Sequence, residues 1–555
     1  MSNNELESLN TNGRGVMTRI EDRSPDDVLR STGWSDCVVP GQVNGHPSLV
    51  YADGVRSVAA VVEASLRWSD REYVVHGDRR ITFGQHQQAV HAVAERLSQA
   101  GVSEGDRVGL FAANSAEWVV VFFAVLQLGA VAVPCNGWWS GEEMAHACQT
   151  VQPALVVTDE RRASRVPDAL TALRLDELVP DAVWTAPMLG SPRTGSGDED
   201  APAVVLFTAG TTGFPKGAVL SHRALIANLQ TLLVVSRKLP WQISDDNPAS
   251  VTLVGLPLFH MGAIQLILVP LMTGSRVVFL PGRFDPEEVL RLIEQEQVTM
   301  FSGVPTMMER LIRHPDARER DYSSLRTVVL GGSPVSTELL ERVSAKFPNT
   351  RRRIGQTYGL TEAGGVVSTG VGVQMAEHPG SSGRLAPVVE VTIEAPDAEG
   401  NGEVLVRSPA CMDGYWGLPD DPTLTSDGWI RTGDVGRVDA DRFLYITGRR
   451  KDIIIRGGEN VAAARVETVL QEHPAVAEVA VVGLPDPDLG ETVAAAVVLS
   501  GAGTVTAVEL EEWARRSLAH FAVPARWWLR IEPLPVNDAG KILKNQLVAQ
   551  WPGDR

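Results

Sequence analysis

Short apolar runs alternate with amphipathic helical segments along most of the chain, and this alternation is the strongest constraint on its fold. Residues 83–100 and 286–297 carry apolar side chains at helical spacing. Strands that are apolar on both faces and separated by helices are typical of parallel sheets covered on both sides. The pattern therefore predicts an α/β fold. The predicted buried strands are residues 107–112, 154–158, 203–207, 251–255, 276–280 and 327–330.

The pattern changes toward the C-terminus. With 555 residues, the chain exceeds the ~250–300 residues that one hydrophobic core supports, so at least two domains are expected. Residues 388–394, 402–406 and 442–447 are short, turn-bounded runs that predict a small antiparallel unit. After the charged segment 448–452, strands and helices alternate again and predict a separate, small α+β domain.

Composition excludes several partner classes. The net charge of -18 disfavours a broad nucleic-acid or anionic-membrane surface, because both require clustered Lys and Arg. The four cysteines form no Cys-x-x-Cys pair and are too sparse for a disulfide scaffold. Residues 1–15 lack the basic region and apolar run of a signal peptide. A cytoplasmic protein without nucleic-acid partners is expected.

The longest apolar stretch, residues 118–134, does not predict a membrane span. Gln127, Gly129 and Pro134 interrupt it, and it is shorter than the ~20 apolar residues that a spanning helix needs. We expect a buried helix followed by a buried strand.

The most informative motif, at residues 206–222, reads LFTAGTTGFPKGAVLSH and starts within a predicted strand. Its glycines allow the backbone to approach a ligand, and its threonines and lysine supply hydrogen-bond donors, as a polyphosphate requires. It is not a Walker loop, because Lys216 is followed by Gly217 and Ala218 rather than by a hydroxyl residue. The predicted nucleotide-binding residues are Thr208, Gly210, Thr211, Thr212, Gly213 and Lys216.

With this loop, nearly the whole chain resembles the adenylate-forming superfamily of acyl-CoA synthetases, luciferase-like enzymes and peptide-synthetase adenylation domains. The resemblance implies a large N-terminal domain of doubly covered sheets with a small β-barrel-like subdomain (residues 1–449). It also implies a hinge at 450–452 and a small, mobile α+β lid domain at 453–555. Ala209 departs from the family pattern, which usually has serine there.

Residues 356–362, QTYGLTE, combine an aromatic ring, two hydroxyls and a carboxylate. Alone, they are equally compatible with an ordinary turn that carries a solvated glutamate. The resemblance implies that Tyr358 stacks on adenine, that Thr361 contacts phosphate, and that Glu362 binds Mg²⁺ together with Thr208. The same resemblance assigns nucleotide contacts to Gln356, Thr357, Gly331, Gly332 and Ser333.

Charged residues nearer the C-terminus complete the implied set. Asp434 and Arg449, which alone would be taken as surface charges, match the family's ribose-binding acid and the base before the hinge, and Ile446 joins the nucleotide site. Lys541 matches the lysine used for adenylation, where attack by a carboxylate on a phosphate calls for a cation.

Three further positions concern movement of the lid and the second half-reaction. Lys451 matches the family's hinge residue, and Gly457 and Gly458 match glycines that approach the pantetheine channel. Ala463 and Arg465 depart from the Pro and Glu that the family usually has there.

His260, in LPLFHMGA at 256–263, matches the aromatic gate of the acyl pocket, and the less favoured alternative is a core histidine. No Asp lies between Gly255 and Gln265, so an amino-acid substrate, whose buried ammonium would need a counter-charge, is not expected. Glycines near the expected pocket suggest space for a fatty, aryl or polycyclic acid, although turns also explain glycine. They are Gly303, Gly332, Gly355, Gly364 and Gly365.

The resulting hypothesis is an enzyme that uses ATP, Mg²⁺ and coenzyme A to convert a hydrophobic carboxylic acid into its thioester through an acyl-adenylate. One alternative is a ligase that loads a separate acyl carrier protein, and another is a non-catalytic nucleotide-binding scaffold. A monomer or homodimer is expected. Ser103, in a Gly-x-Ser-x-Gly string, is predicted to be a turn residue, because a helix precedes it and a strand follows.

Overall fold

The fold is given by a computed structural model of the chain. It describes residues 34–185, 195, 197–208, 215–244, 249–315, 320–333, 335–456, 459–486, 489–500, 505–518, 520–537 and 540–552.

The strands, in chain order, are β1 (Val38–Val43), β2 (His46–Tyr51), β3 (Glu72–His76), β4 (Arg79–Thr82), β5 (Arg107–Phe111), β6 (Val131–Pro134), β7 (Leu155–Thr158), β8 (Ala172–Arg174), β9 (Pro202–Thr208), β10 (Lys216–Ser221), β11 (Val251–Val254), β12 (Arg276–Phe279), β13 (Met300–Gly303), β14 (Thr327–Gly331), β15 (Ile354–Leu360), β16 (Gly365–Val371), β17 (Arg384–Leu385), β18 (Glu390–Glu394), β19 (Gly402–Arg407), β20 (Ile430–Val438), β21 (Leu444–Arg449), β22 (Ile453–Arg456), β23 (Glu459–Ala462), β24 (Val476–Asp486), β25 (Gly490–Leu499) and β26 (Arg526–Arg530).

The α-helices are α1 (Val58–Ala64), α2 (Phe83–Gln99), α3 (Ala116–Gln127), α4 (Gly141–Val151), α5 (Glu160–Ala163), α6 (Leu175–Leu178), α7 (His222–Ser236), α8 (Met261–Thr273), α9 (Pro286–Gln295), α10 (Pro305–Arg313), α11 (Thr337–Lys346), α12 (Val373–Glu377), α13 (Ala463–Gln471), α14 (Ala507–Arg515) and α15 (Lys544–Ala549).

Two large sheets dominate the N-terminal part. One has six strands in the order β10-β9-β6-β5-β7-β8, and the other has nine in the order β17-β16-β15-β14-β13-β11-β12-β3-β4. Their central strands are parallel, and antiparallel pairs lie toward the edges. This is the predicted α/β architecture, because each parallel crossover carries a helix on a sheet face.

Burial shows that both sheets are covered on both faces. In the nine-stranded sheet, Val277 belongs to the largest buried cluster and its neighbour Val278 to a second cluster on the opposite face. In the six-stranded sheet, Val204 and Val205 divide in the same way. Since successive side chains of a strand point to opposite faces, the continuous apolar runs correspond to two buried faces, which confirms the prediction.

The stretch at 118–134 also follows expectation. Most of it forms α3, whose side chains from Trp118 to Gln127 are all buried, and β6, which pairs in parallel with β5. Ser115 caps α3 by accepting a hydrogen bond from the backbone of Trp118, at 3.1 Å. None of the described helices is both long and apolar enough to cross a membrane. Ser103 lies in the turn between α2 and β5, as predicted.

The C-terminal part contains the two smaller units. Strands β18 to β21 form a four-stranded antiparallel sheet, which is the expected small antiparallel unit. A 3₁₀ turn at Arg450–Asp452 then joins β21 to a five-stranded sheet of β22 to β26, packed with α13 to α15. At the departure from the family pattern, Ala463 is buried at the start of α13, so the helix forms without the usual proline.

Candidate functional site

The phosphate-loop motif lies in a hairpin. Its described ends are Thr208, the last residue of β9, and Lys216, the first residue of β10, which are register partners of an antiparallel pair. Sequence reasoning anticipated the strand before the loop but not the strand after it. Gly210, Thr211, Thr212 and Gly213 lie outside the described residues.

The Lys216 ammonium lies beside two side chains that sequence reasoning missed. Its Nζ is 2.6 Å from Oδ2 of Asp421 and 5.1 Å from the ring centroid of Tyr415. Backbone pairing of residues 413–416 along β10 brings this segment to the loop, since Trp416 N donates to Gly217 O at 2.8 Å. An aspartate in a Gly/Pro-rich turn carries no local signal for such a contact, which depends on strand pairing.

Tyr415 also joins the two predicted magnesium ligands. Its hydroxyl donates to Oε1 of Glu362 at 2.8 Å, and the Thr208 side chain is within hydrogen-bonding reach of the same hydroxyl. Burial and the adjacent Glu362 carboxylate raise the pKa of Tyr415, so the phenol stays protonated at neutral pH. Glu362 and Thr208 therefore converge on one point, although Thr208 ends β9 and Glu362 lies in the turn between β15 and β16.

That donor set suits magnesium. In the described part of the chain, no group of three or more His, Cys, Asp or Glu side chains could hold a metal by itself. Mg²⁺ does not need such a group, because it usually takes one or two protein oxygens and completes its shell with water and substrate phosphate. One carboxylate and one hydroxyl beside the phosphate loop fit this requirement.

A second cluster joins β15 of the nine-stranded sheet to β20 and β21 of the four-stranded sheet. The Tyr358 hydroxyl donates to Oδ2 of Asp434 at 2.5 Å, and Arg449 Nε lies 2.8 Å from Oδ1 of the same carboxylate. Asp434 is buried, and it faces Arg449 across the β20–β21 pair. Ile446, on β21, packs with Tyr358 against the same apolar cluster. The structure thus brings together all four of these predicted residues.

The remaining nucleotide candidates lie at the ends of β14 and β15. Gly331 and Thr357 are register partners, and a Cβ on Gly331 would lie 2.8 Å from Thr357 O, so glycine permits this close pairing. Gln356 Nε2 donates to Ser381 O, and Thr357 Oγ1 lies 3.2 Å from Thr369 Oγ1. Thr361 is half-buried in the turn after β15, whereas Gly332 and Ser333 are exposed.

Lys541 reaches the large domain. A Cβ built on Gly332 would lie 3.8 Å from Lys541 Cε, and Thr306 Oγ1 donates to Gly540 O at 3.3 Å. His260, the residue that precedes α8, lies near the same ammonium. Burial, with a smaller contribution from Lys541, lowers the pKa of His260 to about 4, so the imidazole is neutral at pH 7.

Five glycines in the sequence suggest space for a bulky acid near the expected pocket. The structure does not support this interpretation at three of the five positions. A Cβ on Gly355 would lie 2.4 Å from Val371 Cγ1, one on Gly364 would lie 1.6 Å from Ala410 O, and one on Gly365 would lie 2.5 Å from Asn228 Oδ1. These glycines permit close packing rather than space for a ligand. At Gly303 a Cβ would meet Phe301 at 2.9 Å, so only Gly332 has no contact below 3.4 Å.

The remaining predicted residues receive no structural test. Gly457 and Gly458 lie outside the described residues, between β22 and β23. Lys451 is in the 3₁₀ turn that joins the two parts of the chain, and its side chain is likewise not described.

The chain is similar to known proteins over most of its length. Residues 61–416 match the family described as AMP-binding enzyme, and residues 465–541 match the AMP-binding enzyme C-terminal domain. A feruloyl-CoA synthase of Amycolatopsis is 36% identical over 85% of this chain and 94% of its own length. A fatty acid–[acyl-carrier-protein] ligase of Streptomyces coeruleorubidus is 35% identical over 86% of this chain and 92% of its own. The structure of O-succinylbenzoate coenzyme A synthetase from Bacillus subtilis, in complex with ATP and a magnesium ion, superimposes with a TM-score of 0.76 at 30% identity, over 88% of this chain and 98% of that one.

Proposed function

The chain belongs to the AMP-binding enzyme family, and from this premise we propose that it activates a hydrophobic carboxylic acid in two half-reactions. In the first, a carboxylate oxygen of the acid attacks the α-phosphorus of ATP and pyrophosphate leaves, which produces an acyl-adenylate. In the second, the thiolate of coenzyme A attacks the acyl carbon and AMP leaves.

The observation that carries the proposal is the convergence of Lys541 with His260 and Gly332. These residues come from distant parts of the sequence and two structural units, yet Lys541 Cε lies 3.8 Å from a Cβ position on Gly332. We assign Lys541 to the first half-reaction, where its ammonium stabilises the charge that develops as the carboxylate approaches the phosphate. A neutral His260 adds no second positive charge, so it can line an apolar acyl site without attracting a counter-ion.

The nucleotide is assigned to the cluster around Asp434. A buried carboxylate can accept hydrogen bonds from both ribose hydroxyls, and Arg449 Nε lies 2.8 Å from its Oδ1. Tyr358 offers an aromatic face for adenine and is held in place through its hydroxyl. Glu362 and Thr208 would hold Mg²⁺, which supplies charge neutralisation for the phosphates of ATP. Lys216 and the loop would contact the outer phosphates.

We also propose the domain division into 1–449, a hinge at 450–452 with Lys451 at its centre, and a lid at 453–555. Two features support it: only one 3₁₀ turn connects β21 to β22, and the apolar cluster around α13 contains only residues after the turn. Rotation at this turn would exchange the face that carries Lys541 for the segment whose sequence includes Gly457 and Gly458.

For the acceptor, coenzyme A is favoured over a carrier protein because the feruloyl-CoA synthase is a coenzyme A enzyme that is similar over most of both chains. The carrier-protein ligase is almost as similar, so a carrier remains the second candidate acceptor. The same two relatives make aryl and fatty acids the acid classes to test first.

The test is pyrophosphate release from MgATP, measured with fatty, aryl and polycyclic acids, each with and without coenzyme A. We expect release that depends on one acid class, and a thioester only when coenzyme A is present. A thioester only on an added acyl carrier protein would identify the second acceptor. No release with any acid, together with retained ATP binding, would favour the non-catalytic scaffold.

A further inference from the structure

Lys216 forms an ion pair with a carboxylate of the protein itself. Its Nζ lies 2.6 Å from Asp421 Oδ2, and the Asp421 side chain is only 10% exposed, compared with 28% for Lys216. Burial alone would raise the pKa of Asp421, but hydrogen bonds from Lys216 and Thr423 hold it below its ordinary value. The carboxylate is therefore charged at neutral pH and neutralises the lysine.

The position of Asp421 does not depend on this ion pair. Thr423 N donates to Asp421 Oδ1 at 3.0 Å, and Asp421 N donates to Leu418 O at 3.3 Å. Upstream, residues 413–416 are hydrogen-bonded along β10 by backbone groups alone. A neutral side chain at position 421 should therefore leave the turn in place and change mainly the charge beside Lys216.

We propose that Asp421 competes with the outer phosphates of ATP for Lys216 and thereby lowers the affinity of the protein for ATP, but not for AMP. This inference rests on the proposed function, which assigns the outer phosphates to Lys216. The physical reason is that one ammonium cannot neutralise two anions at the same time. Bound triphosphate must take Lys216 from Asp421, and separating that part-buried carboxylate from its partner has a free-energy cost.

The effect of Asp421 should differ between ATP and AMP, because only ATP carries the outer phosphates. AMP lacks the β- and γ-phosphates, so Asp421 does not disfavour it through Lys216. The Asp421 carboxylate therefore lowers the affinity for the substrate ATP relative to the affinity for the product AMP. Asp421 is in this sense a specificity-determining residue that acts through Lys216.

The test is isothermal titration calorimetry of MgATP and of AMP with the full chain. Asp421→Asn should lower the Kd for MgATP about threefold to tenfold, the range for one part-buried charge pair, and should leave the Kd for AMP within about twofold. Asp421→Glu keeps the charge and should bind ATP like the wild type. The matched control is Asp420→Asn, which removes the same charge from the exposed neighbouring residue and should change neither Kd.

A double-mutant cycle tests whether Asp421 affects ATP binding through Lys216. In a Lys216→Ala background, Asp421→Asn should change the Kd for MgATP by less than about twofold, because the competition is gone. An unchanged or higher Kd for MgATP in Asp421→Asn, an equal gain from Asp420→Asn, or a gain that persists without Lys216 would each overturn the inference. If the wild type binds no ATP, the proposed function itself is wrong, so the two failures are distinguishable. Matched thermal unfolding of the variants excludes misfolding as the cause.

Discussion

Gly364 is the position where a single methyl group should damage this protein most clearly. It lies in the turn between β15 and β16, two residues after Glu362, with φ at +68°. A Cβ on Gly364 would lie 1.6 Å from Ala410 O and 2.5 Å from Ala410 C, and both of these are backbone atoms. In Gly364→Ala, the 410 segment would have to move by about 1.4 Å to reach the closest distance that real Cβ atoms tolerate.

The expected magnitude combines two costs. A left-handed φ costs a residue with a Cβ ~1–2 kcal/mol, and overpacking costs a further ~1–3 kcal/mol. We therefore expect Gly364→Ala to lower the free energy of unfolding by about 2–5 kcal/mol. The matched control is Gly400→Ala, where φ is +83° but no atom lies within 4 Å of the Cβ position. This variant should lose only the backbone cost of about 1–2 kcal/mol.

Urea-induced unfolding followed by tryptophan fluorescence measures both variants. The difference between them isolates the steric cost, because both have the same backbone strain. The displacement also has a functional consequence, since Met412 N donates to Glu362 O at 2.9 Å and a shift of residues 410–412 would move Glu362. Equal losses in the two variants would refute the reasoning and indicate that the 410 segment yields at little cost.

Three further predictions follow from the site and the core. Lys541→Ala should reduce carboxylate-dependent pyrophosphate release by about 10²–10³, while thioester formation from supplied acyl-adenylate survives; equal loss in both half-reactions would contradict its assignment. Asp434→Ala should raise the Kd for AMP about tenfold to hundredfold, because two hydrogen bonds to a charged group are lost; unchanged AMP binding in calorimetry would remove Asp434 from the ribose site. Burial, with a smaller effect of His91, lowers the pKa of His86 to about 3. As the pH falls from about 7, His86 is protonated in the unfolded chain before it is protonated in the folded protein. The contribution of His86 to the free energy of unfolding should therefore fall by about 2 kcal/mol between pH 7 and pH 5. His86→Leu should remove that part of the pH dependence in urea unfolding, and an identical pH profile would show that His86 is not buried as a neutral ring.

Local patterns were sufficient for the architecture. Runs such as 277–280 are apolar at every position, which is typical of strands buried on both faces, and the structure places Val277 and Val278 in different cores. The stretch at 118–134 was correctly divided into α3 and β6, because a polar residue and a glycine separate a helix-length run from a strand-length run.

The glycines near the expected pocket show a property that local sequence patterns do not predict. A glycine in a sequence indicates that a Cβ is not needed, but it does not distinguish space for a ligand from contact with another strand. At Gly355 and Gly364 the neighbour is a backbone segment distant in sequence, 370–371 in one case and 410 in the other. Only the fold shows what occupies that space.

The sequence by itself determined the sheet class and the position of the phosphate-loop motif, and it predicted Lys216, Glu362 and Lys541 as charged groups of the site. Spacing along a strand or a loop is a short-range property, so it can be observed without a fold. The tertiary structure alone decided the partners of those groups: Asp421 beside Lys216, Tyr415 between Glu362 and Thr208, and His260 near Lys541. These contacts arise where strand ends and turns from distant segments meet, and their energies depend on burial and distance, which no local pattern encodes.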